Sequence, residues 1–287
     1  MNTDVFFDRG TTHKVCQDYA EGGDGYVIVS DGCSTATNTD FGSRILVRSG
    51  AQNLGSLDIN RPEIFGSRVI ASSGAVCRTL AMKSETLRAT LLLARVDQSG
   101  KTFSWAVFGD GAVVRKYKKE GIRVQVFSQP ANAPPYLAYC LNLDAWESYK
   151  NEFGHYLEVN DFWIRENGII EPGPFGLNYS VNSLGIEPYH PICFAEQDNI
   201  EDYDWIALCS DGMEQFLLNH SGPPVKIPVE QILRHFMSFK GYAGEFVQRR
   251  ASRAMKEIAE KEWTVEKDSG LGARPSDDVA VGVLSFV

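Results

Sequence analysis

The sequence is short of positive charge, of paired cysteines and of long apolar runs, and each shortage closes off a class of function. Its 28 Lys and Arg face 37 Asp and Glu, a formal net charge of −9 over 287 residues. A nucleic-acid binder needs basic surface to displace counterions from phosphates, so no nucleic-acid partner is expected. The six cysteines (Cys16, Cys33, Cys77, Cys140, Cys193 and Cys209) lie far apart with no CxxC pair, which fits free thiols in a reducing, cytoplasmic setting. No run approaches the roughly 20 apolar residues of a membrane-spanning helix. The opening residues, MNTDVFFDRG, lack the basic flank and apolar stretch of a secretory signal. A soluble protein with no membrane partner is therefore expected.

Several catalytic schemes are missing as well. The five histidines (His13, His155, His190, His220 and His235) are scattered, with no HExxH and no nearby cysteine pair to hold zinc. There is no GxxxxGK[ST] phosphate loop and no GxSxG nucleophile elbow. A cysteine that cradles phosphate wants an Arg six residues on, and those positions hold Gly22, Thr39, Lys83, Trp146, Asn199 and Gln215. Asp202-Tyr203-Asp204 precedes an apolar run instead of following one, the wrong end for an aspartyl nucleophile.

What the sequence does contain is ordinary globular composition, 43% hydrophobic and 23% charged, and one recurring device. Three apolar, strand-like runs end in Asp-Gly: Tyr26 to Asp31-Gly32, Trp105 to Asp110-Gly111, and Trp205 to Asp211-Gly212. Further strands are expected at Leu87–Val96, Val113–Lys118, Ile122–Phe127, Tyr156–Ile164 and Val279–Phe286. Helices are expected at Phe41–Leu54, Pro62–Leu80, Pro228–Phe239 and Gly244–Trp263. In the last, Val247, Ala251, Met255 and Ile258 share a face, and Arg249, Arg250, Arg253 and Lys256 fall largely elsewhere, as on a solvated surface. The order of elements is not a strict βαβα alternation. It predicts an α+β fold, with packed, mainly antiparallel sheets and helices outside, as one domain over 1–287. The stretch 128–182, rich in Pro, Gly, Asn and Tyr, reads as an irregular excursion from that core. Its aromatics, among them Tyr136, Tyr139, Trp146 and Tyr149, suit a small satellite core.

Three strand-end aspartates, with Asp277-Asp278 before the last strand, need a reason to be together. Clustered carboxylates repel one another, and a divalent cation replaces that repulsion with coordination. Oxygen ligands select a hard ion, Mg²⁺ or Mn²⁺.

At these residues the sequence resembles the metal-dependent protein phosphatases, the type 2C serine/threonine family. Gly10 to Asp18, with His13, Gln17 and Asp18, is similar to the first family box. Val29-Ser30-Asp31-Gly32, followed by Asp40-Phe41-Gly42-Ser43, is similar to the Asp-Gly box and the helix after it. Ala89 to Ala94, Phe108-Gly109-Asp110-Gly111, Ser183-Leu184-Gly185, Cys209-Ser210-Asp211-Gly212 and Ser276-Asp277-Asp278-Val279 follow in family order. The resemblance implies an α-β-β-α sandwich, two antiparallel sheets between helix pairs, with 128–182 in the position of the family's flap. It implies two Mn²⁺ or Mg²⁺ ions, with a third position. Asp31 would bridge the two, the Gly32 carbonyl would bind one, and Asp211 and Asp277 would hold the other. Asp18 would anchor water, and Asp110 would match the third position. The implied activity is hydrolysis of phosphoserine and phosphothreonine in proteins by a metal-activated water, in a monomer whose partner is a phosphorylated protein.

The sequence departs from the family at three places. His13 stands where the family has a phosphate-gripping Arg. Either His13 still touches phosphate, or it fills space while Arg9, Lys14 or Arg44 supplies charge. Cys33 is a poor proton donor to a leaving group, which leaves that task to water. Ser34 to Asn38 replaces the usual glycines. These changes motivate a second reading, a catalytically weak relative that binds phosphoproteins as a sensor or scaffold. A third keeps the chemistry but takes a small phosphorylated metabolite.

Overall fold

In a strand, neighbouring side chains point to opposite faces, and a run apolar at every position is buried on both. The apolar runs of this chain are of that kind. The computed structural model describes residues 1–129, 131, 133–154, 156–166, 168–174, 179–182, 191–218, 224–260 and 272–287. Its strands are β1 (Asn2–Asp8), β2 (Tyr19–Gly23), β3 (Tyr26–Ser30), β4 (Leu91–Val96), β5 (Thr102–Phe108), β6 (Gly111–Tyr117), β7 (Gly121–Ser128), β8 (Tyr156–Ile164), β9 (Ile170–Pro172), β10 (Tyr179–Asn182), β11 (Phe194–Asn199), β12 (Tyr203–Cys209), β13 (Phe216–Leu218), β14 (Ala273–Pro275) and β15 (Val279–Ser285). Its helices are α1 (Thr39–Asn53), α2 (Pro62–Thr79), α3 (Leu143–Phe153), α4 (Val229–Phe236) and α5 (Phe246–Glu260). No helix among the described residues is long and apolar enough to cross a membrane.

The larger sheet runs β1-β15-β12-β6-β7-β8-β10, with β9 also on β8, and the smaller runs β11-β5-β4-β3-β2. Every pairing of named strands is antiparallel. Alternation then sorts the side chains into three cores. Val27, Val29, Leu92 and Ala94 of the smaller sheet meet Ile206, Leu208, Ala280 and Leu284 of the larger one between the sheets. On the outer face of the smaller sheet, Ile28, Leu91 and Leu93 pack under Leu46 of α1 and Phe65 and Val69 of α2. On the outer face of the larger sheet, Ala207, Cys209, Val281 and Val283 pack under Ile232 and Phe236 of α4 and Val247, Ala251 and Ile258 of α5. The layers are α-β-β-α. The sheets approach closely at Gly282, where a Cβ would stand 2.3 Å from a methyl of Val27.

Most expected elements are present within a few residues of their expected ends. β1, β2, β11 and α3, with the short strands β9, β10, β13 and β14, have no counterpart among the expected elements. β1 buries only Phe6, and β11 (FAEQDN) is an edge strand with no buried position, so neither carries an apolar run. α3 lies in the stretch expected to be irregular. It is started by Asn142, whose side chain accepts hydrogen bonds from the N–H groups of Asp144 at 3.0 Å and Ala145 at 3.3 Å. It buries Trp146 and Tyr149, and β8 pairs with β7 along its length, so much of 128–182 is built into the sandwich.

Candidate metal centre

Antiparallel register brings the strand-end aspartates together. Tyr19 of β2 pairs with Ser30 of β3, so Asp18 and Asp31, one step beyond, end side by side. In the larger sheet Ala112 pairs with Cys209, and Cys209 with Val281, which sets Asp110, Asp211 and Asp277 at the same edge. Gly109 and Gly111, at φ 101° and 126°, reverse the chain around Asp110 so that β5 in one sheet hands over directly to β6 in the other. Thr90 fixes the turn at Asp31. Its hydroxyl accepts from the Asp31 N–H at 3.1 Å, and its own N–H donates to the Asp31 carbonyl at 2.9 Å. The Ala280 N–H donates to the Ser210 hydroxyl at 2.8 Å and anchors the approach to Asp211.

Between these groups lies a cavity of about 150 Å³, lined among others by Asp31, Gly32, Cys33, Asp110, Tyr136, Asp211 and Asp277. Among the described residues no Lys, Arg or His lines it. Burial pushes the carboxyls of Asp18, Asp31 and Asp110 well above the usual carboxylate range; the charges of Asp18 and Asp211 push Asp31 further, as Asp211 does Asp110. Burial and then Asp211 raise Asp277 and Glu214 in the same way. Oδ2 of Asp18 and Oδ1 of Asp110 are buried with no hydrogen-bond partner. An orphaned buried carboxylate oxygen is costly, and a hard dication supplies the missing partner. The carboxylates and the Gly32 backbone form an oxygen donor set that fits Mn²⁺ or Mg²⁺, although the Cys33 thiol lines the same cavity.

His13 points at carboxylates. Its Nδ1 is 3.0 Å from Asp278 Oδ2 and 3.4 Å from Asp277 Oδ1, near enough to pair but out of line for a hydrogen bond. Asp278 also accepts the N–H groups of Gly10 at 2.8 Å and Gln17 at 2.5 Å, and so clamps the loop that leads to Asp18. Arg9 donates to the Lys14 carbonyl at 3.0 Å, and the Arg44 guanidinium lies over the Tyr19 ring at 4.9 Å. Burial pushes the Cys33 thiol up, but hydrogen bonds from Thr35, Tyr136 and the backbone outweigh it and leave the thiol below its ordinary value. Ser183 to Gly185 lie outside the described residues. Tyr136, one of the expected satellite aromatics, instead lines this cavity beside Cys33, and no local signal in the sequence shows it.

A family model, "Protein phosphatase 2C", matches residues 9–260. Solved structures share the fold at low identity. A bacterial serine phosphatase has TM-score 0.56 at 12% identity, covering 100% of this chain and 98% of its own. The serine/threonine phosphatase Stp1 from Staphylococcus aureus has TM-score 0.54 at 12% identity, covering 99% and 95%. The catalytic domain of the serine/threonine protein phosphatase PstP, in complex with two manganese ions, has TM-score 0.50 at 15% identity, covering 98% and 96%. No curated protein matches the sequence.

Proposed function

The chain belongs to the protein phosphatase 2C family, and on that premise we propose that it is a metal-dependent serine/threonine phosphoprotein phosphatase. One observation carries the reading: carboxylates from four separate stretches of sequence line one cavity, Asp18 lies against Asp31 beside it, and an oxygen of Asp18 and one of Asp110 are buried without a partner. Asp31, the Gly32 carbonyl, Asp211 and Asp277 would hold two Mn²⁺ or Mg²⁺ ions, with Asp110 at a third position. Such ions, when bound, lower the pKa of water and offset charge on the phosphoryl oxygens. Asp18 would anchor the attacking water by accepting a hydrogen bond from it, which aims a lone pair of the water oxygen at phosphorus. Asp278 and His13 position Asp277 and the loop before Asp18. No side-chain nucleophile is required, which agrees with the absence of one in the sequence. The lack of a lining cation is what favours the alternative, a phosphoprotein-binding relative with little turnover.

The test is hydrolysis of p-nitrophenyl phosphate and a phosphothreonine peptide with Mn²⁺, with Mg²⁺ and with EDTA, by wild type and Asp211→Asn. Turnover that needs the metal and drops at least about 100-fold in the variant is expected. No turnover above the variant, in a protein that binds Mn²⁺, would replace the phosphatase by the binding relative.

A further inference from the structure

The outer helix pair carries a second cavity, of about 450 Å³, where the chain enters α5. Its floor is aromatic: Phe239, Tyr242 and Phe246 pack with ring centroids 5.4 to 6.1 Å apart. Its walls carry Lys240, Arg249, Arg250 and Arg253, and no Asp or Glu among the described residues lines it. Glu257 pairs with Arg250 and, at 2.8 Å, with Arg253, so the one carboxylate leaves the four cations with an excess of positive charge on a chain of net charge −9. Arg249 and Arg253 are exposed, as a solvated helix face requires, yet each is held by a hydrogen bond. The Arg249 guanidinium donates to the Ala243 carbonyl at 2.7 Å, Arg250 Nε donates to the His235 carbonyl at 2.6 Å, and Arg253 is tied to Glu257. Three guanidinium groups are thus ordered around one concavity before anything binds, which removes part of the entropic cost of binding.

We propose that this cavity docks an acidic segment of the phosphoprotein substrate, a proposal that rests on the phosphatase reading for its choice of ligand. Guanidinium forks match carboxylates, and the aromatic floor takes the apolar stems of the side chains that bear them. The position sets a spacing. Phe239 packs on Trp205 at 5.5 Å, and Asp211 is six residue steps, roughly 20 Å, from Trp205 along β12 and its continuation. A segment seated here must reach past the helical layer as well, so about ten residues or more separate it from the phosphorylated one.

The probe is a fluorescent, glutamate-rich peptide, with binding to wild type and to a Lys240→Glu/Arg249→Glu variant read by anisotropy at two salt concentrations. Both side chains are exposed, so charge reversal leaves the melting temperature and the p-nitrophenyl phosphate kinetics unchanged. Binding weakened by salt, and at least about ten-fold weaker in the variant, is expected. A phosphothreonine substrate with the same segment about ten residues away then shows a KM about ten-fold lower in wild type only. If Arg249→Glu disturbs melting, Lys240→Glu alone gives the same readout. Absence of binding, or equal binding by the variant, overturns the proposal. So does displacement of the peptide by an oligonucleotide or by anionic phospholipid vesicles at lower concentration. Peptide binding needs no turnover, so a wild type that binds the peptide but hydrolyses nothing defeats the phosphatase reading alone.

Discussion

Tyr136 brings a buried phenolic O–H into a cavity that also holds four carboxylates, the Cys33 thiol and the smaller hydroxyls of Ser34 and Thr35. An anionic ester oxygen has no use for a carboxylate neighbour, whereas a phenol can donate to it. Burial, with the charges of Asp110, Cys33 and Asp31 next, raises the Tyr136 pKa and keeps the proton in place. Tyr136→Phe should therefore lower kcat/KM for a phosphothreonine peptide by about ten-fold, and by less for p-nitrophenyl phosphate, whose leaving group needs little help. Equal kinetics for the two proteins would reduce the ring to packing. His13 makes a different prediction. If it positions Asp277, His13→Ala weakens Mn²⁺ activation by about ten-fold or more and leaves the pH profile of KM unchanged, which a metal titration of activity and of melting checks. Asp31, Asp110 and Asp211 are legible because each closes an apolar run, and Asp277 because it stands just before the apolar last strand, whereas Asp18 comes only through the family resemblance. The Asp278 clamp and the Tyr136 hydroxyl are not legible, because both depend on which loops meet, and that is set by pairing between strands far apart in sequence.

Among the elements, β7 and β8 carry an ion pair into the interior. Arg123 Nε and Nη2 meet Asp161 Oδ1 at 3.0 Å and Oδ2 at 2.8 Å, and Asp161 is fully buried. Asp161→Ala leaves a buried guanidinium without its carboxylate, with an expected cost of about 3–5 kcal/mol, read as a lower urea midpoint at unchanged m value. Such polar positions explain why parts of the sheets escaped the sequence reading. β11 holds Glu196 and Asp198 where an apolar strand would hold aliphatics, because both reach Arg115 of β6, at 2.9 and 2.8 Å. The central strands β3, β4, β12 and β15 are buried on both faces, and there a continuous apolar run leaves no doubt about the element. The edges of a sheet are written in other residues.

For the whole molecule, the gathered carboxylates link stability to pH and to metal. A carboxyl whose folded pKa lies above its unfolded one holds its proton more tightly when folded. Its contribution is greatest at low pH and is lost as pH climbs from the unfolded value near 4 through the raised one. Asp18, Asp31, Asp110 and Asp277 all have this sign. Glu257, held at about 2 chiefly by the Arg250 hydrogen bond, has the opposite sign, but its contribution is lost only in more acid solution. The protein in EDTA should therefore melt lower at about pH 7.5 than at about pH 5.5, and saturating Mn²⁺ should raise the melting temperature most at the higher pH. A metal-free melting temperature that climbs between those two values would contradict the charge cluster. The same convergence governs how the protein is made. Asp18 and Asp31 leave the ribosome early and Asp277 late, and β15 inserts between β1 and β12. Until residues 277–285 are synthesised, the nascent chain lacks the last carboxylate of the cluster and leaves the β1 and β12 edges that β15 will join unpaired. It spends that interval as an incomplete sheet, the state in which exposed strand edges invite wrong pairing.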